Sequence, residues 1–216
     1  MSFVETLSFW PLLLQGLLTT LFLSVIAIVG GTAIGVLVGV SVTDGPRPVR
    51  WLLNGYIGLF RGTPLLIQLF LIYLGLPYLG VNLDVFWAAI IGFSLYGGAY
   101  IAEILRSGLQ AVPPGQYEAA RSTGLTYFQT LRHVVLPQVI RTCTAPMLSF
   151  CLALIKDTSI ASIIGYVDLI QQGRTVISIT NLPFQTYLVV AAAYFAICFP
   201  TSFIVGRFEK RMAVTA

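Results

Sequence analysis

Glu118-Ala119-Ala120-Arg121-Ser122-Thr123-Gly124 is a polar stretch in a chain that is otherwise mostly apolar, and nine residues separate it from Val134-Val135-Leu136-Pro137. Pro114 suits the first turn of a helix, because the amide hydrogen that proline lacks has no partner at that position. Gly124 suits the residue just past a helix end, where a left-handed backbone is common. These signals predict a short helix over residues 114–123.

Two further local signals mark this helix as a separate element. Glu118 and Arg121 lie three residues apart, the spacing at which opposite charges attract on one helix face. Thr126 and Gln129 have the spacing of a capping box, in which two side chains bind each other's backbone amides at the start of a helix. We therefore expect a new helix to begin just after Thr126.

The rest of the chain has the composition of a membrane protein. It is 57% hydrophobic and only 9% charged, whereas soluble domains are about 25% charged. A helix needs about 20 apolar residues to cross the hydrocarbon core. We predict an all-α membrane protein with one domain over residues 1–216. The five expected spans are 12–42, 52–79, 85–108, 127–156 with a break after it, and 183–206.

Three local sequence features modify these spans. Pro64 removes a backbone donor and restricts Thr63, so the second span should kink or break there. Gly31, Gly35 and Gly39 recur every four residues in the first span and would let another helix approach closely, although glycine is also simply common in membrane helices. Polar residues 156–159 interrupt the apolar sequence after the fourth span, and such interruptions point to a transporter's solute site.

The basic residues predict the orientation. Nine of them fall on one side if the N-terminus is outside and the chain crosses five times: Arg47, Arg50, Arg106, Arg121, Arg132, Arg141, Arg207, Lys210 and Arg211. The positive-inside rule makes that side cytoplasmic. The Glu118 helix and the C-terminus should then lie in the cytoplasm. The net charge of +4 follows from this topology and gives no reason to expect a nucleic-acid partner.

Signatures of catalysis are missing from the sequence. There is no G-x-x-x-x-G-K-[S/T] loop to hold a nucleotide. His133 is the only histidine, which excludes H-E-x-x-H zinc chemistry. The cysteines Cys143, Cys151 and Cys198 lie in or beside apolar stretches, and we interpret them as small apolar residues. We predict that the chain is not an enzyme and binds neither a metal nor a cofactor of its own.

Ionisable and polar groups inside apolar spans usually face a cavity or a partner, because a charge in the bilayer is costly. Asp157 could accept from the ammonium group of an amino acid, while Thr158 and Ser159 could donate to its carboxylate. Lys156 is adjacent, and the alternative for it is an ion pair with a carboxylate of a partner subunit. We list all four as candidate solute contacts.

Three more candidates lie in the second and third spans. Gln68 is a carboxamide on an otherwise apolar helix and could face a central cavity. Arg61 is also a candidate, although its guanidinium could instead snorkel toward cytoplasmic headgroups. Glu103 completes the set, with the alternative of a structural pair with Arg106 at i, i+3.

Several segments together resemble a known family. The spacing E-A-A, three residues, G, nine residues and an aliphatic-x-Leu-Pro is similar to the EAA coupling loop of ABC importer permeases, with Val134 where isoleucine is usual. Four segments resemble the permeases for polar amino acids of the histidine, glutamine and arginine type: Phe60-Arg61-Gly62-Thr63-Pro64-Leu65-Leu66-Ile67-Gln68, Ala99-Tyr100-Ile101-Ala102-Glu103, Gln116-Tyr117-Glu118-Ala119-Ala120-Arg121 and Lys156-Asp157-Thr158-Ser159-Ile160-Ala161.

This resemblance implies a type I ABC importer permease fold, also called MetI-like, in a multi-pass protein of the bacterial cytoplasmic (inner) membrane. It implies that coupling to an ATPase is made by Tyr117, Glu118, Ala119, Ala120, Arg121 and Gly124. The implied partners are two copies of an ABC ATP-binding subunit, which hold ATP and Mg²⁺, and a second permease subunit, identical or different. A periplasmic or extracellular binding protein would deliver the polar amino acid.

Two rival functions are open from the sequence. One is a secondary transporter driven by an ion gradient, in which Asp157 or Glu103 carries the coupling proton. The other is an ABC permease for a different small solute, such as methionine or an oligopeptide. Dependence of transport on an ATPase separates the first rival from the importer.

Overall fold

A computed structural model describes residues 3–213, apart from the side chains of Asp44 and of residues 208–213. Within this part every regular element is a helix. The α-helices are α1 (Phe3–Ser8), α2 (Trp10–Asp44), α3 (Arg47–Gly62), α4 (Leu65–Phe70), α5 (Val85–Gln110), α6 (Pro114–Ser122), α7 (Tyr127–Thr130), α8 (Leu136–Asp157), α9 (Leu169–Thr180) and α10 (Pro183–Ala213). Two π-helical segments, Leu71–Gly75 and Leu131–Val135, and two 3₁₀ segments, Leu76–Leu79 and Thr158–Ile164, continue or join them.

Four helical stretches are long and apolar enough to cross a membrane, namely Trp10–Thr43, Val85–Gln110, Tyr127–Ile164 and Pro183–Arg207. A fifth span arises if the bent pair Arg47–Gly62 and Leu65–Leu79 crosses as one unit. The expected all-α membrane architecture is therefore confirmed. The side chains of Lys210 and Arg211, counted among the predicted cytoplasmic charges, lie outside the described residues.

Helices α2 and α5 form the central pair. A methyl group added at Gly35 would come within 2.6 Å of the Ile101 side chain, and one added at Gly31 within 3.1 Å of the Gly97 backbone. At Gly39 the nearest atom would be the Ala102 carbonyl oxygen, at 3.1 Å. The glycine ladder thus serves close helix approach, as small residues do in lipid, where apolar burial gives no drive for association.

The second span breaks at Thr63 and Pro64. α3 meets the following helical segment at 110°, so the chain turns sharply here and does not merely kink. α3 is amphipathic: Ile57 packs in an apolar cluster with Val42 and Ala102, while Trp51 is 80% exposed. The helix lies against α5 and brings its last residues toward the C-terminal part of that helix.

The fourth span begins as the local sequence predicts. The capping box is present, since the Thr126 amide donates to Gln129 Oε1 at 2.9 Å and the Gln129 amide donates to Thr126 Oγ1 at 3.4 Å. A π-helical turn precedes Pro137, which lacks an amide hydrogen for the regular ladder. α8 ends at Asp157, and Gly165, with φ of +93°, closes the 3₁₀ segment that follows. The chain stays helical through Ile164, first as an α-helix and then as a 3₁₀ helix, so the break expected directly after residue 156 stays a prediction.

The helix α9 was not among the elements predicted from the sequence. Asp168 caps its start, because the Gln171 amide donates to Asp168 Oδ1 at 2.8 Å. The helix packs tightly on the beginning of α2, where a methyl group at Gly16 would lie 2.9 Å from Leu169 Cα. α9 therefore fills the space between α2 and α10 on the side to which the end of α8 leads.

Candidate functional site

The short helix α6 ends in a pattern of hydrogen bonds that stops it sharply. The Leu125 amide donates to the Ala120 carbonyl at 3.2 Å, and the Gly124 amide donates to the Arg121 carbonyl at 3.0 Å. Gly124 has φ of +79°, a left-handed conformation that a residue with a side chain adopts only with strain. Pro114 occupies the first turn. The local chemistry therefore fixes both ends of the helix.

The two faces of α6 differ. Ala120 is buried, and Tyr117 packs in an apolar cluster with Val112, Val135 and Val139, which fastens the helix to α5 and to the start of α8. On the opposite face the exposed residues are Glu118, Ala119 and Arg121. The predicted Glu118–Arg121 ion pair does not form: in the described part of the chain both ion pairs involve Glu103.

The start of α7 enlarges this exposed face. Phe128 is 79% exposed and Tyr127 is 51% exposed, directly after the turn that ends α6. Sequence reasoning placed these aromatic residues inside the capping box but assigned them no role, because exposure cannot be judged from a segment this short. We call Glu118, Ala119, Arg121 and Phe128 the α6–α7 surface.

A second feature is a cavity of about 340 Å³ between α3, α5 and α8. Its polar lining comes from Arg61, Tyr100, Glu103, Ser107 and Thr142. Three of these follow one another on one face of α5, because residues 100, 103 and 107 are spaced by three and four. We call it the polar cavity.

Glu103 is the centre of an ion network in this cavity. Arg106 Nη2 and Nε lie 2.6 Å and 2.8 Å from its two oxygens, so the predicted i, i+3 pair is confirmed. Arg61 Nη1 lies 3.2 Å from Glu103 Oε1, and the Arg61 guanidinium carbon lies 5.5 Å from the centre of the Tyr100 ring. Arg61 therefore lines the polar cavity, and its expected alternative of reaching toward cytoplasmic headgroups stays a prediction. Two guanidinium groups share one carboxylate, which leaves capacity for a second anion.

Aromatic rings extend from the polar cavity along α5. The Tyr96 and Tyr100 rings are 4.7 Å apart, and Phe150 of α8 stacks on Tyr100 at 5.0 Å between centroids. These rings form an aromatic wall between α5 and α8 beside the polar cavity.

Residues 31–214 match the family model for the inner membrane component of binding-protein-dependent transport systems. This chain belongs to that family. It is 39% identical, over 92% of both chains, to a probable glutamine ABC transporter permease of Bacillus subtilis. It is 38% identical to an L-cystine transport system permease of the same organism, over 95% of this chain and 88% of the relative. The expected membership among the ABC permeases for amino acids is confirmed.

Solved structures agree with this assignment. A chain in the crystal structure of an amino acid ABC transporter with histidines superposes with a TM-score of 0.92 at 36% identity, covering 98% of this permease and 99% of that chain. A chain of an inward-facing methionine ABC transporter gives a TM-score of 0.78 at 21% identity, over 95% and 98% of the two chains. The second likeness concerns the fold alone, and it confirms the MetI-like architecture.

The permease does not bring the polar residues after its fourth span into the polar cavity. Thr158 is fully buried, and its hydroxyl donates to the Ile155 carbonyl at 2.7 Å. Lys156 and Ser159 instead line a larger and mostly apolar cavity of about 480 Å³ beside α9 and α10. Lys156 has no ion-pair partner within the described residues, so its pairing with a partner subunit stays a prediction.

Gln68 of the permease is also placed outside the polar cavity. The residue is 6% exposed, and its amide nitrogen lies 2.8 Å from the Phe60 carbonyl and 3.0 Å from the Thr63 carbonyl. The carboxamide therefore binds the backbone at the break in the second span. Tyr100 lies in the polar cavity, and sequence reasoning missed it although it stands inside the Ala99–Glu103 motif.

The described part of the permease contains no group of three or more side chains suited to hold a metal ion. Cys143, Cys151 and Cys198 are free thiols. Cys143 is buried, and its sulfur lies 3.3 Å from the Ile104 carbonyl. Cys143 therefore packs between α5 and α8 as a small residue.

Proposed function

We propose that this permease is the membrane subunit of an ATP-driven importer for a polar amino acid. A separate subunit binds ATP and Mg²⁺ and hydrolyses the nucleotide, and an external binding protein delivers the solute. The chain works as a dimer with a second permease subunit in the bacterial inner membrane, with its N-terminus outside. The observation that carries the choice of solute is the polar cavity, in which a guanidinium group and a carboxylate lie side by side.

The polar cavity suits a zwitterion. The Arg61 side chain is 40% exposed, so its remaining N–H groups can donate to the carboxylate of an amino acid. Glu103 can accept from the ammonium group, in partial exchange for Arg106. The Tyr100 ring offers an apolar face to the rest of the solute. Because these charges already pair with one another, none of them stands isolated inside the membrane.

The α6–α7 surface suits a protein partner. Glu118 and Arg121 have no ion-pair partners within the described residues, and Phe128 adds exposed aromatic area, a residue type enriched at interfaces. We assign the docking of the ATP-binding subunit to this surface. Tyr117 and Ala120 hold the helix to the body of the permease, and Gly124 ends it.

A packed route joins the two sites. Tyr117 lies in the same apolar cluster as Ile104 and Cys143, and these two residues also line the polar cavity. Packed interiors transmit displacement because they contain little free volume. A shift of α6 driven by ATP binding would therefore move the α5 and α8 walls of the polar cavity. This supports alternating access to the cavity through the docked subunit.

Transport in liposomes tests the proposal. The permease is reconstituted with its ATP-binding subunit and its binding protein, and uptake of each standard amino acid is measured with and without ATP inside. We expect uptake of a polar amino acid that requires ATP. Uptake that proceeds without the ATP-binding subunit and follows a proton or sodium gradient would establish the secondary transporter instead.

A further inference from the structure

The end of α3 exposes backbone acceptors in an unusual place. Pro64 has no amide hydrogen, and the chain turns by 110° after it, so the last carbonyls of α3 lose their helical partners. Unsatisfied carbonyls are costly inside a membrane, where water is scarce. The Thr63 hydroxyl satisfies one of them, because it donates to the Leu59 carbonyl at 2.7 Å.

The Gln68 carboxamide binds two more backbone carbonyls from the far side of the break. Its amide nitrogen lies 2.8 Å from the Phe60 carbonyl, 3.0 Å from the Thr63 carbonyl and 2.9 Å from Thr63 Oγ1. The side chain is nearly enclosed, at 6% exposure. One carboxamide therefore joins the last turn of α3 to the first turn of α4.

The residue in that last turn that reaches the polar cavity is Arg61. It directly follows Phe60, whose carbonyl Gln68 binds, and it extends to Glu103 and over the Tyr100 ring. The middle of α3 is fastened separately, because the Tyr56 hydroxyl donates to the Leu95 carbonyl of α5. The direction of the last turn, and of Arg61 with it, depends on the contacts at the break.

We propose that Gln68 is a positioning residue: its carboxamide fixes the last turn of α3 and thereby holds the Arg61 guanidinium against Glu103 in the polar cavity. Gln68 does not touch the solute and acts on it through Arg61. The inference rests on the proposed function, since it assigns Arg61 to solute binding.

The test compares two glutamines of equal burial. Gln68→Met removes the carboxamide at the break, and Gln172→Met makes the same change in α9, where the glutamine is 7% exposed. Each variant is assembled with the ATP-binding subunit in nanodiscs. ATP hydrolysis is measured while L-glutamine, L-histidine or L-arginine is titrated.

Gln68→Met should raise the half-maximal solute concentration about tenfold, because a misplaced Arg61 loses a charged hydrogen bond to the solute. The effect on this concentration should exceed the effect on the maximal rate. Gln172→Met should stay within about twofold of the parent protein, as expected for a change remote from the cavity. Equal half-maximal concentrations for the two variants would overturn the inference.

A double-mutant cycle shows whether Gln68 acts through Arg61. In an Arg61→Ala background, Gln68→Met should change the half-maximal concentration by less than about twofold, since the group that it positions is gone. If the two single-variant changes in the half-maximal concentration multiply in the double variant, Gln68 has a structural role independent of Arg61. That result would contradict the proposal. If Gln68→Met does not assemble, Thr63→Val removes one hydroxyl of the same cap and should raise the concentration about threefold.

The outcomes separate the two proposals. A parent complex whose ATP hydrolysis and uptake respond to no amino acid would refute the proposed function, and the role of Gln68 with it. A responsive parent complex in which Gln68→Met behaves like the parent would leave the importer intact and refute only the role of Gln68.

Discussion

The α6–α7 surface and the polar cavity each contain a glutamate and at least one arginine, but these charges are unpaired at the surface and paired in the cavity. Glu118 and Arg121 are exposed and form no ion pair with each other, whereas Glu103 forms ion pairs with Arg61 and Arg106. An exposed charge is solvated by water and costs little free energy, so it can stay unpaired until a protein partner binds. A charge within the membrane is costly and usually pairs with another group or faces a cavity. Under the proposed function, the solute would exchange with existing ion pairs, whereas the ATP-binding subunit would make new ones.

The strongest test of this contrast is the same substitution at both glutamates. Glu103→Gln removes the carboxylate that would accept from the ammonium of the solute, and it leaves two guanidinium groups without their counter-ion. We expect the half-maximal solute concentration for ATP hydrolysis to rise about 10- to 100-fold. Glu118→Gln should change this concentration by less than about twofold. Similar shifts at the two positions would remove the distinction between the sites.

Charge reversal at the α6–α7 surface should affect assembly instead. In Glu118→Lys the new charge stands beside Arg121 and opposes whatever cation of the ATP-binding subunit faced the glutamate. We expect the dissociation constant of that subunit to rise about tenfold at low salt and less at high salt, because exposed charges are screened. Surface plasmon resonance on nanodiscs measures this. A dissociation constant that stays the same at every salt concentration would exclude Glu118 from the interface.

The end of α6 gives a smaller effect. Gly124→Ala forces a side chain into a left-handed backbone, which costs about 1–2 kcal/mol. A helix that no longer ends correctly should weaken binding of the ATP-binding subunit about fivefold. Gly115→Ala is the matched control, because an added methyl group there meets nothing within 4 Å and the backbone is helical. If both variants bind equally, the turn at Gly124 does not shape the surface.

Asp157 belongs to neither region, and its role stays a prediction. It is the last residue of α8 and does not line the polar cavity. Asp157→Ala should change solute stimulation of ATP hydrolysis by about two- to threefold, since its charge acts at a distance from the polar cavity. Binding of the ATP-binding subunit should not change. Normal transport kinetics in this variant would exclude Asp157 from the solute path.

Local backbone chemistry was predictable from the sequence. The break at Pro64, the capping box at Thr126 and the helix end before Gly124 each depend on residues within a few positions of one another. The Arg61–Glu103 contact joins residues 42 positions apart and depends on how α3 crosses α5, which no local pattern specifies. Gln68 is a candidate solute contact in the sequence because a lone carboxamide in an apolar helix could face a cavity. The sequence could not show that the break supplies acceptors for it.

The seam between α2 and α5 bears on how this permease tolerates change over evolution. Gly35 has no side chain that could bind or react, yet a single methyl group added there would lie within 2.6 Å of the Ile101 side chain. Gly55 and Gly58 of α3, by contrast, have open space around them. A saturation mutagenesis screen should therefore find some of its least tolerant positions among residues that contact neither solute nor the ATP-binding subunit. Substitutions at Gly35 should be among the most harmful, and substitutions at Gly55 or Gly58 among the least.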